Sequence, residues 1–320
     1  MNAQRKNIAV IGAGMAGLTF ATELQAAGYN VTVFDKGRGP GGRMAARRAE
    51  VEGETISFDH GAQYFTATSE VFADQIAEWA AAGIVAAWPA ASDDAWVGIP
   101  GMNAPVRYMG LQANVRWGTR VERIDRDAGN WSLHTADRTH KFDAVIVAVP
   151  AEQAKDLLHG TAPELAAIPA QVTSAPCWAL MAAFEARLDI GQDCLPDPSD
   201  AIAWAARNSA KPERSGEETW TIHASAEWSN KHLEFPQDKA CTMILDEFFE
   251  ATGAAPCTPV HLAAHRWRYA LPKVRSTEPA VWDRDQLIGL CGDYLVSPTV
   301  EGAWVSGRTL ARKMMAGEKC

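Results

Sequence analysis

Cysteine is scarce: six residues (177, 194, 241, 257, 291 and 320) in a chain of 320, with no C-x-x-C pair among them. That pattern excludes a disulfide-stapled scaffold and gives no support to a zinc site or other metal site; it fits a reducing compartment, so a cytoplasmic location is expected. Long apolar runs are missing too. A membrane-spanning helix needs about 18 consecutive apolar residues, and the longest candidate, Trp79 to Ala91, is interrupted by Gly83 and Pro89. No membrane partner is expected. Positive charge is in deficit, Lys+Arg 30 against Asp+Glu 39, for a net charge of −9. Such a balance opposes nonspecific binding to nucleic acid or anionic lipid, so an anionic ligand needs a local site of backbone amides and a few cations. The motifs G-x-S-x-G and H-E-x-x-H do not occur, which leaves a hydrolase or zinc enzyme without sequence support. Tyrosine is also rare, 5 against 12 Trp and 10 Phe. What remains is ordinary for a folded protein, 47% apolar and 22% charged, in a chain long enough for about two domains.

The most informative segment lies near the N-terminus. Arg5-Lys6 followed by Ile8 to Ala21 has the basic and apolar look of a signal peptide, but the same stretch has a fuller explanation. Asn7 to Ile11 is a short β-branched run, Gly12-Ala13-Gly14-Met15-Ala16-Gly17 follows at once, and Leu18, Ala21, Leu24 and Ala27 recur at helical spacing up to Gly28. Asn30 to Phe34 alternates as a second strand and ends at Asp35. Strand, glycine turn, helix, strand and terminal acid make a dinucleotide-binding arrangement. Gly12 permits the turn, Gly14 lets the backbone approach a pyrophosphate, Gly17 lets the helix pack on the strand, and the helix N-terminus faces the negative charge. Asp35 stands where a carboxylate accepts hydrogen bonds from an adenosine ribose. A domain for NAD alone would continue into another βα unit. Here Lys36-Gly37-Arg38-Gly39-Pro40-Gly41-Gly42-Arg43-Met44 follows, too rich in glycine and proline for a helix.

Asp35-Lys36, a short spacer and Gly41-Gly42-Arg43-Met44 resemble the second fingerprint of FAD enzymes of the amine oxidase type, within the glutathione-reductase-like flavoproteins. Phe58-Asp59-His60-Gly61-Ala62-Gln63-Tyr64-Phe65 is similar to the segment that passes beside the isoalloxazine ring in those proteins, and the combination is most similar to the renalase family. The resemblance implies FAD held by Gly12, Ala13, Gly14, Met15, Ala16, Gly17, Asp35, Lys36, Arg43 and Met44, with Gly61, Ala62, Gln63 and Tyr64 near the flavin. Arg43 would present a forked cation to the pyrophosphate or the flavin side. His60 reads as a buried, hydrogen-bonded residue without catalytic duty. Near the C-terminus, Leu287 to Asp293 is an apolar strand ending in Gly-Asp, and Val300 to Arg308 opens the last helix. By the same resemblance Asp293 serves the ribityl chain or the pyrophosphate, and Val300 and Glu301 face the pyrimidine end of the flavin, where a helix N-terminus favours the anionic reduced form. Val121 would meet the adenine through its backbone. Cys291 lies inside the strand and not in the Gly-Cys-Tyr setting of covalent amine oxidases, so noncovalent FAD is expected.

Arg120 to Ile124 and Trp131 to Thr135 read as a hairpin, and Phe142 to Val149 as a parallel strand buried on both faces. The expected fold class is α/β. A discontinuous Rossmann-like FAD-binding domain takes residues 1–69, 106–158 and 282–320, and an inserted, mainly β substrate domain with helices takes 70–105 and 159–281. In the latter, Trp267, Arg268 and Tyr269 are candidate substrate residues; their segment reads equally as a strand with aromatics inward and arginines outward.

The renalase resemblance implies an oxidase that returns the 2-dihydro and 6-dihydro isomers of NAD(P)H to NAD(P)+, passing hydride to flavin N5 and electrons to O2 to give H2O2. Such a donor has an activated C–H bond and an aromatic product, so orientation and exclusion of water suffice and no catalytic side chain is required. An amine oxidase or a desaturase on the same fold, and a non-catalytic flavin-binding regulatory protein, are the alternatives.

Overall fold

The computed structural model describes residues 6–317 except 52, 128, 215, 217, 275 and 277. Two compact units emerge: unit 1 comprises Met1–Gly42, Val106–Ser174 and Pro272–Cys320, and unit 2 comprises Arg43–Pro105 and Ala175–Leu271. The chain begins with β1 (Asn7–Ile11), α1 (Met15–Ala26) and β2 (Asn30–Phe34) in unit 1. Unit 2 contributes β3 (Ala46–Val51), β4 (Glu54–Asp59), α2 (Glu70–Ala81), β5 (Val85–Ala87) and β6 (Trp96–Gly98), and α3 (Ala104–Gln112) leads back. Unit 1 continues with β7 (Asn114–Arg116), β8 (Arg123–Asp127), β9 (Asn130–His134), β10 (Thr139–Phe142), β11 (Ala144–Val147), α4 (Ala151–Leu158) and α5 (Pro163–Ala166). Unit 2 resumes with β12 (Ser174–Phe184), β13 (Cys194–Pro196), β14 (Ile202–Arg207), β15 (Glu218–Ala224), α6 (Ala226–Lys231), α7 (Gln237–Thr252) and β16 (His261–Pro272). The last elements, β17 (Val281–Asp283), β18 (Ile288–Leu290) and α8 (Val300–Gly317), belong to unit 1.

Unit 1 is built on a six-stranded sheet in the order β17-β18-β11-β1-β2-β7, parallel except for the β17–β18 pair. Its central strands are apolar almost throughout because both faces are covered. On one face Ala9, Ile11, Val145, Val147, Ile288 and Leu290 pack with Ile124, Trp131 and Leu133 of the β8–β9–β10 meander and with Ala151, Ala154 and Leu158 of α4. Trp131 is fully buried there, its Nε1–H donating to the Gln286 carbonyl at 2.8 Å. On the other face Leu310 of α8 meets Ile146 over Gly289, and α8 lies directly on α1. A Cβ on Gly307 would stand 2.1 Å from the Ala16 carbonyl oxygen.

Unit 2 centres on a five-stranded sheet in the order β13-β14-β15-β12-β16. One face packs Leu180, Trp220, Ile222 and Ala264 against Ile244, Phe248 and Phe249 of α7. The opposite face packs Met181 and Ala183 against Val51, Ile56 and Phe58 of the β3–β4 hairpin. This hairpin explains why residues 43–69, drawn from sequence with the cofactor domain, belong to unit 2: their apolar side chains are buried on its sheet. Conversely, Leu165, Ala166 and Val172 enter the unit 1 core and Val281 pairs with Leu290, so residues 159–174 and 272–281 group with unit 1. Within unit 2 the wholly buried Arg207 donates Nε–H to Glu218 Oε2 at 3.1 Å, pairs with Asp193, and stacks 4.8 Å from the Trp220 ring. Among the described residues no helix is long and apolar enough to cross a membrane.

A helical glycine replaced by alanine ordinarily gains about 1 kcal/mol. At Gly307 the added carbon has no room, and overpacking costs about 1–3 kcal/mol. Gly307→Ala should therefore lower the thermal midpoint, by roughly 2–4 °C for each kcal/mol lost, whereas Gly191→Ala, with open space at its Cβ, should leave it unchanged in a calorimetric comparison.

Candidate functional site

The cradle in unit 1 is made by removing side chains. Gly12 takes φ +111, and a Cβ there would come 2.4 Å from the Ala148 carbonyl oxygen; one on Gly17 would come 2.0 Å from the Gly12 carbonyl oxygen. Gly14 differs, since nothing lies within 4 Å of where its Cβ would be. It is the N-cap of α1, with no capping side chain and no acid in the first turn. The first amides of a helix have no intrahelical acceptor, so Met15, Ala16 and Gly17 present donors and the positive end of the helix dipole to open space, as an anionic pyrophosphate requires. Gly42 closes on this turn, a Cβ there lying 3.7 Å from Gly14 Cα.

Asp35 braces both glycine loops. Its Oδ2 accepts from Ala13 N–H at 2.7 Å and its Oδ1 from Gly37 N–H at 2.6 Å, and each oxygen retains capacity for a ribose hydroxyl. Lys36 donates to Gln153 Oε1 at 3.1 Å, with its pKa lowered by burial and then by Arg120. Val121 packs on the unit 1 core. From the C-terminal side, Gly292 N–H donates to Ser306 Oγ at 2.9 Å and sets Asp293, 5% exposed, at the head of a short 3-10 turn. Thr299 Oγ1 accepts from Gly302 N–H at 2.9 Å, and the amides of Val300 and Glu301 are the leading donors of α8. These residues fit FAD: an uncapped helix start beside open glycine, a carboxylate at the strand end, and a second helix start in the same unit.

The remaining predicted residues lie in unit 2. Met44 is buried in the turn Gly42–Met44. The Arg43 carbonyl accepts from Ala62 N–H at 2.9 Å, its guanidinium donates to the Ala270 carbonyl at 3.3 Å, and a Cβ on Gly61 would stand 2.0 Å from the Arg43 carbonyl oxygen. Only glycine allows that approach. Around it runs a shelf of flat rings. His60, 6% exposed, lies 5.0 Å from the ring centres of both His265 and Trp267, which meet edge-on at 4.4 Å. Trp267 Nε1–H donates to the His60 carbonyl at 2.8 Å, Tyr64 contacts Trp204 at 5.5 Å, and Trp204 is the cross-strand neighbour of His223.

Burial, helped by His265, Arg47 and His223, pushes the His60 imidazole down to about 3; burial and Lys211 push His223 to about 4; burial and Arg47 lower His265. All three are neutral near pH 7. Along β16 the side chains alternate as aromatics inward and arginines outward. Trp267 joins the shelf, Tyr269 is half-buried two residues on, and Arg268 turns to the exposed side, where Glu234 binds it through two contacts of 2.7 and 2.9 Å and Arg266 through one of 3.0 Å. Arg268 is thus engaged away from the rings, in line with the second of the two readings of this segment.

Sequence reasoning missed a buried ionic cluster at the end of β4. Asp59, buried at the end of β4, pairs with Lys211 at 3.3 Å and Arg214 at 2.7 Å. In sequence the two cations flank Pro212 and Glu213 and carry no local signal of burial; only the fold turns them inward.

Two outcomes follow from this geometry. Asp35→Ala should raise the Kd for FAD at least tenfold, since hydrogen bonds to a charged group contribute about 1.5–3 kcal/mol; titration of apoprotein with FAD, and the flavin-to-protein absorbance ratio after gel filtration, measure it. His60 and His223 bind fewer protons folded than unfolded, where an imidazole titrates near 6.5. Stability therefore falls as pH drops from about 6.5 toward 3: the urea midpoint should be lower at about pH 4.5 than at about pH 7, and His60→Gln combined with His223→Gln should flatten that dependence.

Residues 10–78 match the NAD(P)-binding Rossmann-like domain, and residues 90–315 match the flavin containing amine oxidoreductase model. Among solved structures, a protein from Exiguobacterium sp. 255-15 provisionally named protoporphyrinogen oxidase aligns with a TM-score of 0.78 at 12% identity, over 98% of this chain and 99% of the other. A fatty acid isomerase from P. acnes that produces CLA aligns with a TM-score of 0.69 at 13% identity, over 98% and 99%. Cyclohexylamine oxidase from Brevibacterium oxydans IH-35A aligns with a TM-score of 0.64 at 12% identity, over 99% and 100%. At these identities the structures establish the fold alone, an α/β Rossmann-like domain joined to an amine oxidase domain. With the second family model covering more than half of its length, the chain belongs to the flavin containing amine oxidoreductases, and its cofactor is FAD.

Proposed function

We propose that this oxidoreductase is a noncovalent FAD oxidase of the renalase kind, returning the 2-dihydro and 6-dihydro isomers of NAD(P)H to NAD(P)+ with formation of H2O2. The ring shelf supports this reading most directly. Trp267, His265, Tyr64 and Trp204 are half-buried flat rings beside the buried His60, and the imidazoles of His60, at about 3, and of His223 behind Trp204, at about 4, are too weakly basic to take a proton at neutral pH. A dihydropyridine asks for no more than that. Its C–H bond breaks with the electron pair, the product gains aromaticity, and the protein need only stack, orient and desolvate the ring. An amine, protonated in solution, must lose a proton before oxidation, and these imidazoles are poor acceptors for it.

FAD, when bound, would supply the two-electron redox chemistry. The chain's own residues bind and orient. Met15, Ala16 and Gly17 amides would hold the pyrophosphate, Asp35 the ribose, the Val300 and Glu301 amides the pyrimidine end, and Trp267 with its neighbouring imidazoles would receive the donor.

Anaerobic mixing with borohydride-reduced NAD+, which contains both isomers, should bleach the flavin absorbance rapidly, and air should restore it with release of H2O2. Trp267→Ala should lower kcat/KM roughly two- to tenfold, the equivalent of ~0.5–1.5 kcal/mol for a lost aromatic contact. Faster bleaching by a panel of amines would replace this reading with amine oxidation; bleaching by no donor would leave the regulatory reading.

A further inference from the structure

We propose that Lys211 is a positioning residue: by tying Gln63 to the buried carboxylate of Asp59, it fixes the segment Gly61–Tyr64 and with it the environment of the flavin. The second half of this inference rests on the assignment of that segment to the flavin side under the reading above. The geometry begins at Asp59. Its Oδ1 accepts from Met102 N–H at 2.8 Å, and its Oδ2 accepts from Arg214 Nε–H at 3.0 Å, Arg214 Nη2–H at 2.7 Å and Lys211 Nζ–H at 3.3 Å. The side chains of all three ionic partners are fully buried. Asn208 clips the same region to β4, accepting from Asp59 N–H at 3.1 Å and donating to the Ser57 carbonyl at 2.9 Å. Among the described residues Lys211 carries this anchorage onward, through a second Nζ–H donated to Gln63 Oε1 at 3.0 Å. Gln63 in turn donates Nε2–H to the carbonyls of Asp59 and of Gly61, the latter at 3.0 Å. One amide side chain thus folds the segment onto itself, and Lys211 supplies the bond to its oxygen.

The charge balance separates this role from simple stabilisation. Arg214 neutralises Asp59 by itself, through two N–H groups on one oxygen. Lys211 adds a second cation to one carboxylate, and among the described residues no other carboxylate pairs with either cation. Its ammonium lies 5.1 Å from the Trp88 ring, and burial pushes its pKa down to about 8 despite the pull of Asp59. A buried charge in excess of its counter-ion costs desolvation without a matching gain. What Lys211 contributes that Arg214 does not is the hold on Gln63.

Lys211→Met, made in the holoprotein, removes the excess charge and leaves the Asp59–Arg214 pair intact. The thermal midpoint should hold or rise, while hydrogen exchange at the amides of 61–64 accelerates at least tenfold and the visible absorption and circular dichroism of bound FAD change. Gln63→Leu should reproduce the exchange and spectral effects. A fall in thermal midpoint with exchange at 61–64 and the flavin spectrum as in the unaltered protein would make Lys211 a residue of stability alone and overturn the proposal. Faster exchange with an unchanged flavin spectrum would overturn its link to the flavin. Neither readout involves a substrate, so failure of the dihydronicotinamide reading leaves a different signature.

Discussion

In unit 1 the backbone of the β1–α1 turn is pressed so closely by its neighbours that Gly12 and Gly17 have no room for a side chain. Gly12 meets the end of β11 at Ala148, Gly17 meets Gly12, and Gly307 of α8 meets Ala16, in each case with less than a carbon atom's room to spare. Two parts of the chain far from it in sequence, at Ala148 and Gly307, converge on this one turn. The consequence is a helix start left uncapped at Gly14, which in the proposed cofactor site would let an acidic protein bind an anionic group. Net charge decides solubility and nonspecific partners, whereas oriented amides at a few ångströms decide the site.

Asp35 connects this constraint to the second glycine loop. A carboxylate that accepts from Ala13 and Gly37 fixes two loops against each other, an ordering that a ribose bound at Asp35, as proposed, would not have to impose. Pre-organisation of this kind lowers the entropic cost of binding. Unit 2 achieves rigidity differently, with buried ionic clusters: Arg207 with Glu218 and Asp193, and Asp59 with Lys211 and Arg214. The first sits inside the sheet's core; the second lies under the segment that carries Gly61 and Gln63.

Legibility in the sequence followed the range of the interactions. The β1–α1–β2 order could be read from Asn7 to Asp35 because each signal there is local: β-branched strands, glycines at fixed spacing, helical periodicity. Trp267 could be picked out as an aromatic among cations, and the alternation that turns Arg268 toward Glu234 was one of two readings left open. The β3–β4 hairpin was placed with the wrong neighbour, since a short amphipathic hairpin can bury Val51, Ile56 and Phe58 on any apolar sheet. Lys211 and Arg214 gave no signal, because nothing local distinguishes a buried lysine beside proline from a solvated one.

The sequence by itself determined the order strand, glycine turn, helix, strand and the acid that ends it, as backbone conformations and spacings are written in glycine, periodicity and short-range chemistry. Tertiary structure decided the rest: the ring shelf of His60, His265 and Trp267, the neutrality of its imidazoles, and the burial of two cations against Asp59. Those properties depend on desolvation and on contacts between residues more than a hundred positions apart. Such contacts exist only once the sheets have closed.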